Sequence, residues 1–158
     1  GALLSFACSE HFSLIIAEDT LITTKNVQGE LQQFAEYNDF LGVCAQKLIK
    51  KIEEEKIERE EPKIMLQLKI NAAELSVFSL GKEKKYTIVT DDIHAARVAQ
   101  QELQIYSKPS FFLLLQLYKK KKITKQQLIL DFNKITRQRN WMAGILYEYV
   151  KSTIEKLE

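Results

Sequence analysis

The chain has 158 residues, of which 46% are apolar and 28% are charged, and its formal net charge is +2. These values are typical of a globular protein, so we expect one domain over residues 1–158 with a core of ordinary size. No apolar run reaches the roughly 20 residues that cross a bilayer, and the first residues lack the basic region and cleavage pattern of a secretory signal.

The first half of the chain is predicted to consist mainly of helices. Residues 3–8 are apolar and small, and FSLIIAE continues as either a helix or a buried strand. Residues 20–24, TLITT, are β-branched and predict a short strand, after which a helix begins at Lys25. Another helix is predicted over residues 40–59, because the apolar spacing continues into the acidic stretch 53–61.

The middle of the chain predicts two strands, each followed by a helix. Residues 64–70, IMLQLKI, read as a strand or an extended entry, and Asn71 then caps a helix that closes at Gly81. Residues 86–90, YTIVT, read as a second strand, which is followed by Asp91, Asp92 and a helical pattern.

The last third predicts a short strand over residues 104–107 and further helices that begin at Pro109, Thr124 and Ala143, the last ending at Leu157. Strands that alternate with helices favour an α/β fold. We therefore expect a three-layer α/β/α sandwich with a mostly parallel central sheet.

Carboxylates follow three of the predicted strands. Glu30 lies in the helix after TLITT, Glu74 in the first turn after IMLQLKI, and Asp91 and Asp92 directly after YTIVT. Each has a local explanation, because acids near a helix N-terminus cap free amides and interact well with the helix dipole. Parallel strands bring such residues to one sheet edge, however, where their repulsion would favour a hard cation such as Mg²⁺ or Mn²⁺.

The order of these motifs resembles the PIN-like domains, in particular the prokaryotic branch with GEA and TDDxxAR motifs. TDDIHAARVA supplies Thr90, Asp91, Asp92 and Arg97, and AELS supplies Glu74. TLITTKNVQGEL resembles the family's strand followed by an acid, which corresponds to Glu30. The resemblance covers most of the chain.

The sequence departs from the family pattern in two places. The family's first strand, which ends in an Asp, has no counterpart before ALLSFA. SKPSFFLLL also replaces a glycine-bearing loop, so any backbone contact made by that loop is in question.

The resemblance implies a metal-dependent nuclease that cleaves single-stranded RNA with Mg²⁺- or Mn²⁺-activated water. In that scheme Glu30, Glu74 and Asp92 are metal ligands, and Asp91 is a further catalytic acid. Thr90 and Arg97 would support them, Thr90 by orienting an acid or water, and Arg97 by pairing with an acid or a phosphate.

Basic residues near the C-terminus predict phosphate contacts, with a solvated helix end as the alternative. These residues are Lys119, Lys120, Lys121, Lys122, Arg137 and Arg139. The implied partners are single-stranded RNA and, for a toxin-type member, an antitoxin-like protein. The last helix either completes the core or forms a homodimer face, and no membrane partner is expected.

Two other classes of function remain as alternatives. A catalytically impaired PIN-like domain would act as an RNA-binding or protein-assembly module. A phosphate- or nucleotide-binding regulatory domain would need a lysine beyond a later strand, and Lys108 is the candidate. His94 is interpreted as structural and His11 has no recognisable partner. No serine-hydrolase pattern surrounds Ser9 or Ser13.

The two cysteines, Cys8 and Cys44, are too few for a disulfide scaffold, and neither lies in a CxxC pair. We therefore expect reduced, buried thiols in an intracellular, cytoplasmic protein.

Overall fold

A computed structural model of the protein describes residues 1–141 and 144–157. The described helices are α1 (Ala2–Cys8), α2 (Phe12–Glu18), α3 (Lys25–Phe34), α4 (Phe40–Glu53), α5 (Ala72–Lys84), α6 (Ile93–Leu103), α7 (Phe111–Lys119), α8 (Lys125–Arg139) and α9 (Ile145–Glu155). The strands are β1 (Ile22–Thr23) and β2 (Glu58–Arg59). None of the described helices is both long and apolar enough to cross a membrane.

Side-chain caps explain where four of the helices begin. The side chains of Thr24, Asn71, Asp92 and Thr124 each accept a hydrogen bond from the backbone N–H three residues later. These caps replace hydrogen bonds that the first turn of a helix lacks. At Thr124 the Gln127 side chain also bonds back to the cap, which completes a capping box. The predicted helix starts at these four places are confirmed.

The sheet of the described residues is small and parallel. Ile22 of β1 pairs with Glu58 of β2, and an isolated parallel bridge joins Val89 to Lys108. Helices and parallel strands make the protein α/β, as predicted, but these elements do not establish a three-layer sandwich. The strand expected at residues 86–90 is reduced to the bridge at Val89, and residues 104–107 form no strand, since the bridge partner is Lys108.

The helix predicted over residues 40–59 ends earlier, at Glu53. Glu55 adopts a left-handed backbone conformation (φ 58°), and the Lys56 N–H donates back to the Lys51 carbonyl at 2.9 Å. This is a Schellman-type end, in which a left-handed residue satisfies the last carbonyls of the helix. The fully buried Ile57 then anchors β2, so the acidic stretch forms a turn and a strand instead of continuing the helix.

Of the two readings of residues 64–70, a strand or an extended entry, the strand is wrong, since the structure has an irregular connection there. The Leu66 N–H donates to the Ser79 hydroxyl at 2.9 Å, and Leu68 packs into a small core with Phe78. The apolar residues of this segment therefore bury against α5 instead of pairing with a strand. Ile64, which is 77% exposed, has no such packing.

Two helix ends differ from their predictions. Helix α5 continues past Gly81 to Lys84, and Lys85 takes the left-handed cap conformation (φ 59°). A Cβ on Gly81 would lie 2.2 Å from the Ile88 side chain, so this glycine allows close packing and does not end the helix. The last helix runs over Ile145–Glu155, and its predicted start at Ala143 lies outside the described residues.

Two apolar clusters form the interior. The larger one joins α1, α2, α4, α7 and α8, and it includes the helical segment FSLIIAE. The smaller one lies between α5 and α6 around Phe78 and Ala95. Cys8 and Cys44 are free and buried in the larger cluster, as predicted. Burial and the neighbouring Cys44 raise the pKa of the Cys8 thiol to about 12.

Candidate functional site

The predicted acids at the end of YTIVT and at the start of α5 are joined by one threonine. The Thr90 hydroxyl donates to Glu74 Oε2 at 2.8 Å and accepts a hydrogen bond from the Asp92 N–H at 3.0 Å. Thr90 is buried, while Glu74 and Asp92 are half-buried. A single buried hydroxyl therefore fixes the position of one acid and the backbone of the other.

The electrostatic environment of Glu74 is unfavourable for its charge. Burial raises the pKa of the Glu74 carboxyl, and the negative charges of Asp92 and Glu30 raise it further. The hydrogen bond from Thr90 acts in the opposite direction. Asp92 and Glu30 are thus near enough to Glu74 for their charges to oppose its ionisation.

Asp91 is fixed by protein donors on both of its oxygens. The Ser5 hydroxyl donates to Asp91 Oδ2 at 2.9 Å, and the Ser110 N–H donates to Asp91 Oδ1 at 2.8 Å. Asp91 therefore ties α1 to the loop that precedes α7. The loop SKPS makes a backbone contact with the acid despite its lack of glycine. Neither serine was identified from the sequence, because both contacts join distant parts of the chain.

Asp92 has a structural task as well. Its Oδ1 accepts a hydrogen bond from the Ala95 N–H at 2.9 Å, which caps α6. Helix capping is therefore a local, structural reason for an acid at this position. The cap occupies one oxygen, Oδ1, so the same side chain has a second oxygen with which to contact a ligand.

A cavity of about 430 Å³ lies beside the acids. Glu30, Glu74 and Gly1 line it. Gly1 lies close to Glu74, because a Cβ added to Gly1 would be 3.6 Å from Glu74 Oε1. Two extended segments, residues 20–24 and 87–89, also line the cavity. The cavity therefore reaches from the acids into the space between two strand segments.

The strand segments turn unpaired backbone towards that space. Leu21 and Thr23 accept hydrogen bonds from β2, and on the other side Lys108 bonds to Ile88 and Thr90. Because alternate residues of a strand bond to opposite neighbours, Ile22 and Val89 point their backbone groups away from these partners. Both of them line the cavity.

The donor set is suited in kind to a hard divalent cation, since carboxylate oxygens are the preferred ligands of Mg²⁺ and Mn²⁺. Within residues 1–141 and 144–157, however, no three Asp, Glu, His or Cys side chains are close enough to hold one ion. The charges of Asp92 and Glu30 act on Glu74, but the described acids do not form a three-residue ligand set for a cation.

The predicted basic residues fall into two groups. Lys119, Lys120, Lys121 and Lys122 are exposed at the end of α7, whose other end lies beside Asp91. A helix of 9 residues is about 13 Å long, so this group is well separated from the acids. Lys122 forms an ion pair with Glu18 at 3.4 Å.

The remaining basic residues differ in exposure. Arg97 and Arg137 are exposed, whereas Arg139 is partly buried. Arg139 acts on the Gly1 amine, whose pKa is lowered first by burial and then by this charge. Glu30, Glu74 and Asp91 raise the pKa of the same amine. The charges of Arg139 and of these three acids therefore all act on the Gly1 amine.

A second polar cluster lies elsewhere in the fold. The fully buried Asp131 accepts hydrogen bonds from the Ser9 hydroxyl and the Glu10 N–H, and its Oδ2 lies 2.7 Å from His11 Nδ1. A hydrolase triad needs the histidine between the acid and the serine. Here the acid contacts both, so the cluster joins the start of α2 to α8, and Asp131 is a partner for His11 that the sequence did not reveal. His94 is exposed.

A family model described as a PIN domain matches residues 1–156. No curated protein and no solved structure matches the chain. The match extends over nearly the whole sequence and includes the acids, the threonine that joins them and the cavity beside them. The chain therefore belongs to the PIN domain family, whose function is of the nuclease type in general.

Proposed function

We propose that the protein is a Mg²⁺- or Mn²⁺-dependent endoribonuclease that cleaves single-stranded RNA. The observation that carries the proposal is the group of repelling acids around Glu74, which lies beside a cavity in a PIN domain. An enzyme site often holds acids with a raised pKa, because the charge that its ligand brings offsets the cost of placing them together.

Glu30, Glu74 and Asp92 are the residues that would hold the cation, directly or through water. The ion would supply Lewis-acid chemistry, which lowers the pKa of a bound water and offsets charge on the scissile phosphate. The chain's own contribution is to position the acids. Thr90 keeps Glu74 Oε2 oriented by a 2.8 Å hydrogen bond, and Asp91 holds the loop before α7 in place.

The cavity supports a finer proposal, that the family's first strand and its Asp complete the site. An added parallel strand between residues 20–24 and 87–89 would pair with the backbone groups of Ile22 and Val89 that point into that space. Its carboxyl end would reach the side of the cavity that Glu30 and Glu74 line. An Asp at that end would add the ligand that the described acids need.

This part of the proposal is tested with an extended protein. A short apolar strand ending in Asp is fused before Gly1, and Mn²⁺ binding is measured by calorimetry against the chain of 158 residues. We expect tighter binding by the extended protein and loss of that gain when the added Asp is Asn. Equal affinity of all three proteins would contradict the added strand.

Cleavage is tested with a labelled single-stranded RNA in Mn²⁺. Asp92→Asn is the sharpest variant, because Asn caps a helix as well as Asp does and should leave α6 intact. We expect cleavage to fall at least about 100-fold in Asp92→Asn, since a metal ligand is lost. The control is Glu102→Gln, an exposed acid of the same helix, which should cleave at the normal rate.

The second candidate is a PIN domain that binds RNA or a protein without cleaving. The observation that favours it is that protein donors already occupy both oxygens of Asp91 and one oxygen of Asp92. Ile145 and Tyr149, both exposed on α9, offer a face for a second copy or an antitoxin-like partner. RNA binding without cleavage at any Mn²⁺ concentration would favour this candidate over the nuclease.

A further inference from the structure

Arg139 is the basic residue that the fold brings back to the acid site. Helix α7 begins at the loop that bonds to Asp91, and α8 packs against it, with Phe132 of α8 and Phe111 at the start of α7 6.1 Å apart. The last turn of α8 therefore lies near the acid end of α7, while the exposed lysines lie at the opposite end.

The side chain of Arg139 is partly buried, and one of its N–H groups lacks an acceptor among the described residues. It lies over the ring of Trp141 at 5.5 Å, and its Nε is buried without a hydrogen-bond partner in the described part of the chain. Arginine is costly to bury in this state, because every N–H removed from water should find an acceptor. A phosphate, whose oxygens can accept paired hydrogen bonds from a guanidinium, would supply acceptors for this side chain.

Two further observations locate this arginine relative to the acids. Trp141, on which it stacks, lines a small cavity together with Asp91 and Ser110. The charge of Arg139 also lowers the pKa of the Gly1 amine, which the charges of Glu30 and Asp91 raise. Arg139 thus lies on Trp141, which shares a cavity with Asp91, although the arginine belongs to none of the motifs around the acids.

We propose that Arg139, held by stacking on Trp141, binds a phosphate of the RNA strand at the edge of the acid site. This inference rests on the proposed function, in which the ligand is RNA. A cluster of acids repels phosphates, so a polyanion needs a fixed cation beside it to enter. Arg139 supplies that cation and a bidentate donor, and Trp141 acts as a positioning residue that fixes the plane of the guanidinium.

The test measures the affinity of a labelled, non-cleavable 2′-O-methyl RNA by fluorescence anisotropy, with and without Mn²⁺. We expect Arg139→Met to weaken binding about 10-fold and to reduce the slope of affinity against salt by about one unit, because one phosphate contact is lost. Arg139→Lys should bind the RNA more tightly than Arg139→Met, by about a third of the lost affinity, but more weakly than the wild type. Lysine keeps the charge of arginine but not its planar pair of donors.

The control is Lys84→Met in the last turn of α5, where the lysine is exposed. Both variants remove a charge that complements a helix dipole. We expect a change of less than about twofold for Lys84→Met. Trp141→Leu should weaken RNA binding and Trp141→Phe should restore it, whereas thermal unfolding reports any loss of folding.

Equal affinities of the Arg139→Met and Lys84→Met variants would overturn the inference. If the protein cleaves RNA while Arg139→Met binds and cleaves normally, the arginine assignment fails and the nuclease proposal stands. If RNA binding depends on Arg139 but no cleavage occurs, the nuclease proposal fails and the arginine assignment stands. A protein that binds no RNA at all refutes both.

Discussion

Replacing Thr90 with valine removes the hydroxyl that joins Glu74 to Asp92. Valine keeps the branched shape, so the change isolates two hydrogen bonds, a 2.8 Å bond to Glu74 Oε2 and a 3.0 Å bond from the Asp92 N–H. Hydrogen bonds contribute about 1 kcal/mol each, and more when an acceptor is charged and buried. We therefore expect Thr90→Val to lower the free energy of unfolding by about 2 kcal/mol.

The same substitution should change the titration of Glu74. The hydrogen bond from Thr90 lowers the pKa of the Glu74 carboxyl, against burial and the neighbouring acids that raise it. Without the hydroxyl, the pKa should rise further, and Glu74 should take up its proton at a higher pH. A weaker carboxylate ligand at neutral pH would then bind Mn²⁺ less well, because a cation must displace that proton.

Urea denaturation measures the stability change, and carbon-13 NMR of labelled glutamates measures the Glu74 pKa, with Glu74→Gln used to assign its signal. Thr87→Val is the control, since that threonine is exposed in the same extended segment. The reasoning would be refuted if Thr90→Val were as stable as Thr87→Val and left the Glu74 pKa unchanged.

Three other predictions follow from the contacts described above. Because the folded-state pKa of Glu74 is raised, its contribution to stability is greatest below the ordinary carboxyl value of 4.5 and is lost as pH rises through the folded-state pKa. Urea midpoints of wild type relative to Glu74→Gln should therefore fall over that interval, and parallel pH curves would contradict the raised pKa. Asp131→Ala removes the acceptor of Ser9 and the Glu10 N–H, and we expect a loss of about 3 kcal/mol in urea denaturation; a loss below about 1 kcal/mol would show that the cluster is dispensable. Gly42→Ala would place a Cβ 2.0 Å from the Tyr37 carbonyl oxygen, so its melting temperature should drop by several degrees, whereas Gly29→Ala, with open space around it, should not destabilise the protein.

The helices could be predicted from the sequence because their signals are local. Asn71 and Thr124 each cap a first turn three residues away, so a short stretch of sequence contains both the donor and the acceptor. The end of α4 could not be predicted in the same way. A left-handed Glu55 and the burial of Ile57 beside β1 decide it, and neither follows from apolar spacing.

The strands were over-predicted because a strand exists only where another strand pairs with it. Residues 64–70 have a strand-like pattern, but Leu68 finds its apolar partners on α5 and α6. Residues 86–90 pair only at Val89, with Lys108. Pairing partners are set by the whole fold, so the pattern of one segment does not decide them.

The candidate site was predictable only in part. The family motifs identified Glu74, Thr90 and Asp92, which the structure joins through hydrogen bonds. The contacts of Asp91 with Ser5 and Ser110 were missed, because they link residues far apart in the chain. The special position of Arg139 also depends on how α8 turns back along α7, and no local pattern signals it.

Calorimetric titration of Mn²⁺ into the wild type, Glu74→Gln and Glu102→Gln tests most directly whether the acids around Glu74 form one cation site. We predict that the wild type and Glu102→Gln bind one ion with the same affinity, that binding weakens as the pH falls, and that Glu74→Gln binds at least about tenfold more weakly. Mn²⁺ binding of equal strength in all three proteins, or in none of them, would contradict the site.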